Sequence, residues 1–312
     1  MDRGAYVLGR LLQMVPVLIV LSILVFLMIH LIPGDPAITL LGVEATADKV
    51  AALRQHLGLD QPLWVQFWLF ASGLAHGDLG TSMIVRVPVL QLVAERLPLT
   101  LFLVAYAMTL AVLLTFPLSM LAALKRDSIF DQLVRGFTVT MMSTPGFWVG
   151  ILLLILLGVK LSIFPVGGAG KNWGERFYYL FLPALTLAFS VSAVLIRTLR
   201  DAILTALSAE HVVFARAKGL DRTLVLLKHV IRNALISTIT LFGLYVGFLV
   251  GGSVIIESVF ALPGMGSMMV TAILGRDYQV VQGFTLVYAI LVSIVYLLTD
   301  ITYSFVDPRI TL

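Results

Sequence analysis

One segment of the chain resembles a nucleotide-binding site, and the resemblance fails at the residue that would bind magnesium. Residues 167–172 read GGAGKN, which imitates the end of a phosphate-binding P-loop, where Lys is followed by Ser or Thr. Asn172 stands where that hydroxyl should be. The sequence has no zinc-protease H-E-x-x-H, no nucleophile-elbow G-x-S-x-G and no Cys. We therefore expect no catalytic residue, no metal site and no cofactor bound by this chain.

A basic segment at residues 209–235 carries the clearest local signals. It contains five cations between two long apolar stretches: Arg216, Lys218, Arg222, Lys228 and Arg232. Ser208 is a good helix N-cap, Glu210 complements the positive start of a helix, and Lys218 complements its negative end. Gly219 can take the left-handed conformation that ends many helices. These signals predict a helix over residues 208–218, too short to be stable alone, and a second helix capped by Asp221.

Two interpretations of this segment are open, a solvated basic connector and a docking element for another protein. The paired caps and the apolar residues on the first helix favour docking, with Phe214 and Ala215 facing the partner. The predicted docking residues are Glu210, Val213, Phe214, Ala215, Arg216, Ala217, Lys218 and Gly219.

The composition places these segments in a membrane protein. Hydrophobic residues make up 60% of the chain, charged residues only 12%, and the mean hydropathy is +1.03. This lies outside the usual globular composition, and such a chain could not hide its apolar surface from water. The surrounding solvent must therefore be a lipid bilayer, and the net charge of +4 is too small to suggest nucleic acid as a partner.

Six segments are apolar and long enough to span a bilayer, which takes about 20 helical residues. They are residues 11–32, 98–123, 136–160, 178–199, 235–256 and 281–305. The first could pass for a signal peptide, but its apolar run is too long and no Ala-x-Ala-like cleavage site follows. We therefore predict an all-α, polytopic membrane protein with six transmembrane helices.

The distribution of Lys and Arg predicts the orientation of these spans. Thirteen of the 21 lie on the side that holds both termini and the loop 201–234, and eight lie on the other side beside nine acids. Positive residues concentrate in cytoplasmic segments, so both termini and this loop are expected in the cytoplasm. The chain then divides into residues 1–32, a large extracytoplasmic loop 33–97 with short amphipathic helices, and a core 98–312.

The middles of the predicted spans contain no charged residue. Ion-coupled transporters usually keep ionisable groups at membrane depth, so this absence argues against ion coupling. The second, third and fourth spans contain Pro117, Pro145 and Pro183, and lipid cannot replace the backbone hydrogen bond that each proline removes. Such a kink can line a cavity or serve packing alone, and the two interpretations stand about equal. The candidate pathway residues are Pro117, Ser143, Pro145, Gly146, Phe147 and Pro183.

Glycine is frequent on one face of the fifth span and in the loop that follows this span. In the fifth span Gly243, Gly247 and Gly251 are each four residues apart, so one helix face can receive another helix closely, within the chain or between subunits. The loop between the fifth and sixth spans is rich in glycine and partly apolar, and it is expected to dip back and cap a pathway mouth. Its candidate gate residues are Pro263, Gly264, Gly266, Arg276 and Asp277.

A series of short motifs runs in order along nearly the whole chain. They are RLLQMVPVL, LIPGDP, LGLDQPLWVQF, GDLGTS, STPGFW, ARAKGL followed by RNAL, ESVFALPGMG, RDYQVVQG and the final DPRI. Together they resemble the permease subunits of ABC importers of the dipeptide, oligopeptide and nickel class. The general importer motif, Glu-Ala-Ala-x-x-x-Gly followed by Ile-x-Leu-Pro, is kept only in part. Aligned on Gly219, the chain keeps Ala215 but has Val213 and Phe214 in place of Glu and the first Ala, and Arg232 in place of Pro.

The resemblance implies a multi-pass permease of the bacterial inner membrane, which pairs with a second, homologous permease. Two cytoplasmic ATPase subunits would dock on the loop helices, 208–218 being the coupling helix, and would bind the ATP and magnesium. An extracytoplasmic solute-binding protein would deliver the cargo, and the chain itself would be no enzyme. Short peptides are the expected cargo, with a nickel chelate, glutathione or an oligosaccharide as alternatives in the same machine. The alternative from a different class is a stand-alone ion-coupled secondary transporter.

Overall fold

The computed structural model describes residues 3–31, 36–41, 45–56 and 58–306. Regular structure in these ranges is helical, as predicted. The helices are α1 (Arg3–Leu31), α2 (Pro36–Leu41), α3 (Ala47–His56), α4 (Leu63–Ala75), α5 (Val89–Leu124), α6 (Ile129–Ser143), α7 (Gly146–Leu153), α8 (Trp173–Tyr179), α9 (Phe181–Leu207), α10 (Glu210–Ala217), α11 (Arg222–Leu224), α12 (Arg232–Val259), α13 (Met265–Leu274) and α14 (Tyr278–Val306). Two π-helical segments, Leu154–Lys160 and Val225–Ile231, continue α7 and α11. Residues 32–35 of the LIPGDP motif and the DPRI motif at 307–310 lie outside the described residues.

Helix α9 lies at the centre of the molecule, with α5, α12, α6 and α7 packed around it. α5 and α9 run in the same direction, because Leu103 and Leu182 share one apolar cluster while Ala123 and Ile203, further along each helix, share another. Small side chains such as Ala107, which is fully buried, let the helix backbones approach closely. The apolar core is therefore a continuous seam along α9.

The bundle has two ends, which carry different short helices. At the first, called the α10 end, Val212 of α10 lies in one apolar cluster with Ala123 of α5. At the second, called the α13 end, Met265 of α13 clusters with Val89 of α5 and Phe284 of α14. With 10 residues, α13 is too short to cross a bilayer. It packs against α5, α12 and α14 at this end of the bundle.

The number of spans is lower in the described residues than the sequence predicts. Four helices are long and apolar enough to cross a membrane, at Val89–Leu124, Phe181–Leu207, Leu241–Val259 and Tyr278–Thr299, and a bent pair of helices could supply a fifth. The first predicted span is represented by the shorter apolar stretch Leu11–Leu27 inside α1. Six spans remain a prediction, while the multi-helix membrane architecture is clear.

The predicted third span, 136–160, is not one straight helix. α6 and α7, with its π-helical continuation, meet at an angle of 108°. Thr144 is extended, with φ −108° and ψ 132°, and Pro145 caps α7. This conformation is expected, because a proline disfavours the helical conformation of the residue before it and cannot donate the next helical hydrogen bond.

The other two candidate prolines do not interrupt a helix. Pro117 lies inside α5, which continues to Leu124, and its side chain is exposed. Pro183 lies in the first turn of α9, where the missing N–H would have no partner inside the helix anyway. The predicted kink at Pro183 is therefore wrong, because the helix begins only at Phe181.

The glycine face of α12 is used within the chain. A Cβ on Gly243 would lie 1.8 Å from Thr299 Cγ2, and one on Gly247 would lie 3.0 Å from the Tyr296 hydroxyl. Both neighbours belong to α14, so the first two glycines let α12 and α14 pack closely. No atom lies within 4 Å of a Cβ added at Gly251.

We expect Gly243→Ala to destabilise the folded chain by about 1–3 kcal/mol, the usual cost of overpacking, because its methyl group would overlap Thr299. Gly251→Ala is the matched control on the same helix, and it should be neutral or stabilising by up to ~1 kcal/mol because alanine is the better helix former. Thermal unfolding of the purified chain in detergent compares the two variants. Equal midpoints would mean that α12 and α14 do not pack as described.

Candidate coupling, pathway and gate sites

The docking helix predicted at 208–218 is present as α10, with a later start. Its N-cap is Ala209, which has no side-chain cap, and Ser208 instead ends α9. The Ser208 hydroxyl donates to the carbonyl of Thr205 at 2.9 Å. Ser208 was therefore wrong as an N-cap, because the end of the preceding long helix already uses its hydroxyl.

The other caps of this loop are as predicted. Gly219 has φ +75°, which an L side chain rarely adopts. The Asp221 carboxylate accepts the backbone N–H groups of Thr223 and Leu224 at 2.9 and 3.2 Å. The hydrogen bonds from Leu224 and Thr223 to the charged form lower the pKa of Asp221 below its usual value. Two successive caps thus fix a sharp corner between α10 and α11.

The two faces of α10 have different roles. Val212 and Ala215 are 0% and 6% exposed, and they cluster with Ile203 of α9 in the core of the chain itself. Val213 and Phe214 are 57% and 63% exposed and point away from the chain. The expectation that Ala215 faces a partner is therefore wrong, because Ala215 lies one turn from Val212 and shares its buried side.

The remaining predicted docking residues surround Phe214 on the surface. They are all exposed: Glu210, Arg216, Ala217, Lys218 and Gly219. The Lys218 ammonium lies 4.7 Å from the centre of the Phe214 ring, within cation–π distance. The outward surface of α10 is therefore an apolar patch, Val213 and Phe214, with charged side chains beside it.

A groove of about 350 Å³ opens at the break between α6 and α7. We call it the pathway groove. Its walls come from the break, from α9 and from α12: Met141, Met142, Thr144, Gly146, Phe147, Leu187, Ser190, Val194, Tyr245, Phe248, Leu249, Gly252, Ile255 and Ile256. None of these side chains is Asp, Glu, Lys, Arg or His, so the groove is apolar with a few hydroxyls.

The structure separates the candidate pathway residues into two groups. Gly146 and Phe147 line the pathway groove, whereas Ser143, Pro145, Pro117 and Pro183 do not. A Cβ on Gly146 would lie 2.7 Å from the Ser190 Oγ. The glycine therefore allows the start of α7 to approach α9 at the groove.

The gate loop is organised around Glu257, near the end of α12. Its buried carboxylate accepts the Thr100 hydroxyl at 2.7 Å and the N–H groups of Gly266 and Ser267 at 2.7 and 3.1 Å. Thr100 in turn accepts the N–H of Met265 at 3.0 Å. The start of α13 is thereby tied to α5 and α12, and the carboxylate complements the positive helix start.

Two of the predicted gate glycines make room for this carboxylate. A Cβ on Gly264 would lie 2.3 Å from Glu257 Oε2, and a Cβ on Gly266 would lie 2.4 Å from the Val254 Cα. Pro263 is exposed beside them. The glycines therefore serve close packing of α13 on α12.

Asp277, predicted as a gate residue, ties the loop before α5 to α14. Its buried carboxylate accepts the Ser82 hydroxyl and the N–H groups of Met83 and Ile84 at 3.2 and 3.3 Å. The neighbouring Arg276 is exposed and has φ +56°. Asp277 thus joins the loop before α5 to the start of α14 at the α13 end.

Sequence reasoning missed two buried polar contacts. It gave no role to Glu257 and none to Asp131, although Asp131 pairs with Arg200 at 2.7 Å. A signal was available, because a lone ionisable residue beside a long apolar stretch needs a partner. The sequence could not identify the partners, since Thr100 and Glu257 lie far apart along the chain.

Comparison with known proteins matches nearly the whole chain. Residues 115–312 match the family described as binding-protein-dependent transport system inner membrane component, and residues 4–104 match the N-terminal family of such membrane components. The glutathione transport system permease protein GsiC of Salmonella typhimurium (strain LT2) is 41% identical over 98% of both chains. The protein of the same description from Escherichia coli (strain K12) is 40% identical over the same shares.

Solved structures share the fold at lower identity. An inward-facing structure of the MetNI methionine ABC transporter has a TM-score of 0.57 and 17% identity, covering 70% of this chain and 97% of that chain. A crystal structure of an amino acid ABC transporter with histidines has a TM-score of 0.53 and 17% identity, covering 70% and 94%. These likenesses concern the arrangement of the helices.

Removing the acceptor at the gate should destabilise the chain markedly. We expect Glu257→Ala to leave the buried N–H of Gly266, the part-buried N–H of Ser267 and the buried Thr100 hydroxyl without this acceptor, at about 1–3 kcal/mol for each buried group. Glu257→Gln keeps one acceptor oxygen and should cost less. Thermal unfolding in detergent measures both, with Glu95→Ala, an exposed acid on α5, as the control. A Glu257→Ala variant as stable as the control would contradict the gate contacts.

Proposed function

Because the chain belongs to the family of binding-protein-dependent transport system inner membrane components, we propose that it carries short peptides, glutathione among them, across the inner membrane. It is the permease subunit of an ABC importer. The observation that carries the cargo assignment is the 41% identity, over 98% of both chains, to permeases named for glutathione transport. Glutathione is itself a tripeptide, so the relatives and the peptide-class motifs point to one kind of cargo.

The chemistry of the pathway groove is compatible with this cargo. The groove offers the hydroxyls of Thr144, Ser190 and Tyr245 among apolar walls and no charged side chain. A zwitterionic peptide can pass such walls without being held by a strong ion pair. Release is therefore easy, and selection falls to the solute-binding protein that delivers the cargo.

The proposed assembly contains a second, homologous permease and two ATPase subunits. The second permease closes the open side of the pathway groove. The ATPases bind ATP and magnesium. One of them docks on α10 of this chain, whose exposed Phe214 and neighbouring charges suit a groove on the ATPase surface, and the other docks on the second permease. This places the α10 end and both termini in the cytoplasm and the α13 end outside, in agreement with the distribution of Lys and Arg.

The proposed cycle is alternating access. ATP binding closes the two ATPases and draws the α10 helices together, the spans rock to open outward, and hydrolysis resets them. The broken α6–α7 segment suits such a step, because a break already present in a span can change its angle without losing further hydrogen bonds.

Reconstitution tests the proposed function directly. Proteoliposomes containing both permeases, both ATPases and the loaded binding protein should import labelled glutathione and short peptides. Import should occur only when ATP is present on the side of the membrane that holds the ATPases. Import by this chain alone, driven by a proton or sodium gradient, would overturn the proposal in favour of a secondary transporter.

Docking should depend on the exposed ring of α10. We expect Phe214→Ser to reduce co-purification of the ATPases by about 30-fold, the equivalent of a 2 kcal/mol hot spot, while the permease itself folds normally. Leu274→Ser, which changes an exposed apolar residue at the α13 end, is the matched control. Ala215→Arg should instead lower the amount of folded permease, since Ala215 is buried in the chain. Normal ATPase binding by Phe214→Ser would place the docking surface elsewhere.

Introduced cysteines should report on the pathway groove. The chain has no Cys, so the wild type provides an unreactive background. At Thr144 and Phe147, which line the groove, the reaction rate of an introduced Cys with a small charged thiol reagent should change about tenfold between the nucleotide-free and ATP-trapped complexes. Ser143→Cys, beside the break but outside the groove, should change little. If all three positions react alike in both states, the groove is a packing defect.

A further inference from the structure

A buried, two-point ion pair joins α6 to α9 near the α10 end. Arg200 Nε donates to Asp131 Oδ1 at 2.7 Å, and Arg200 Nη2 donates to Oδ2 at 2.8 Å. The side chains are 0% exposed at Asp131 and 11% exposed at Arg200. This is the two-point geometry in which a planar guanidinium fixes both distance and direction.

Further contacts hold each partner in place. The Asp131 carboxylate also accepts the backbone N–H of Asp127 at 3.0 Å, and Arg135 approaches it at 3.6 Å. Arg200 Nη1 donates to the exposed Asp201 at 3.1 Å. The buried charges are therefore paired and hydrogen-bonded, which is the condition under which they are tolerated.

The pair belongs to the contact surface between α6 and α9, which we call the α6–α9 contact. Further along the same side of α6, Val134 packs with Ile196, and the Phe137 ring lies 5.6 Å from the Phe189 ring of α9. The opposite side of α6 is strongly exposed, with Ile129 and Leu133 as examples. The direction of α6 is therefore set mainly by α9.

The α6–α9 contact lies between α10 and the pathway groove. Beyond Arg200, α9 continues to Leu207 and packs on α10, since Ala206 shares an apolar cluster with Val212 and Ala215. Beyond Asp131, α6 leads to the break, where Met142 and Thr144 line the groove. One ionic contact thus connects the helix that carries α10 to the helix that ends at the groove.

We propose that Asp131 and Arg200 are positioning residues that make α6 follow α9 when α10 moves, so that ATP-driven motion reaches the α6–α7 break. This rests on the proposed function of an ATP-driven importer. Apolar side chains such as Val134 and Ile196 can slide past each other at little cost, whereas the two-point ion pair resists sliding and rotation. Without the pair, α10 and α9 would move while α6 lagged, and ATP would be hydrolysed without a matching change in the groove.

The test measures ATP hydrolysed per peptide imported in the reconstituted complex. Asp131→Asn alone leaves the Arg200 charge buried without its partner and is expected to lower the amount of folded permease. The informative variant is the double substitution Asp131→Asn with Arg200→Gln, which removes both charges. We expect it to bind the ATPases and hydrolyse ATP, with at least about a fivefold rise in ATP consumed per peptide, the lower range of coupling between distant sites.

A second variant covers the case in which the double substitution does not fold. Arg200→Lys keeps the charge but loses the two-point geometry, and it should also raise the ATP cost per peptide. Asp201→Asn is the matched control, because it removes an exposed carboxylate from the same guanidinium and should leave the ratio within about twofold of wild type.

The outcomes separate this inference from the proposed function. A wild-type complex that imports no peptide with ATP would refute the proposed function itself. A wild-type complex that imports peptide, while Arg200→Lys or the folded double variant keeps the wild-type ratio, would refute the positioning role and leave the pair as a fold contact. A raised ratio in these variants with an unchanged Asp201→Asn would establish it, since a purely structural loss lowers hydrolysis and import together.

Discussion

Helix α9 packs along its length against α5 and α12, and α6, α7, α8 and α10 also take their positions from contact with this central helix. In a bilayer the hydrophobic effect gives helices little reason to associate, so small side chains and close backbone approach must hold the bundle together. The buried alanines of α5 and α9 supply that approach. α6, α7 and α10 pack against the parts of α9 that α5 and α12 leave uncovered, so the position of α9 sets the positions of these three helices.

Three buried carboxylates described above join elements that lie far apart in sequence. Glu257 joins the start of α13 to α5 and α12, Asp277 joins the loop before α5 to α14, and Asp131 joins α6 to α9. Each carboxylate is buried with its hydrogen-bond acceptors occupied. In so apolar a surrounding an unpaired charge is costly, so these contacts select one arrangement of the helix ends.

The two candidate surfaces lie where packing within the chain leaves side chains exposed. In α10, Val212 and Ala215 are buried in the core of the chain and Phe214 is exposed. At the α6–α7 break, a groove has walls from the break, from α9 and from α12. In the proposed assembly, an ATPase docks on the exposed surface of α10 and a second permease closes the pathway groove. The proposed peptide cargo fits a groove without charged side chains.

Hydropathy, turn chemistry and motif spacing are local properties, and they were enough to predict the membrane class, the all-helical fold, the family and the caps at Gly219 and Asp221. It also located the break at Pro145, since proline acts on its own neighbours. The exposed side of α10, the packing of α14 on Gly243 and Gly247, and the donors that each buried carboxylate accepts became visible only in the folded chain. The physical reason is the same in each case: side-chain exposure and pairing depend on residues distant in sequence, as Asp131 and Arg200 show, and no local pattern specifies the partner.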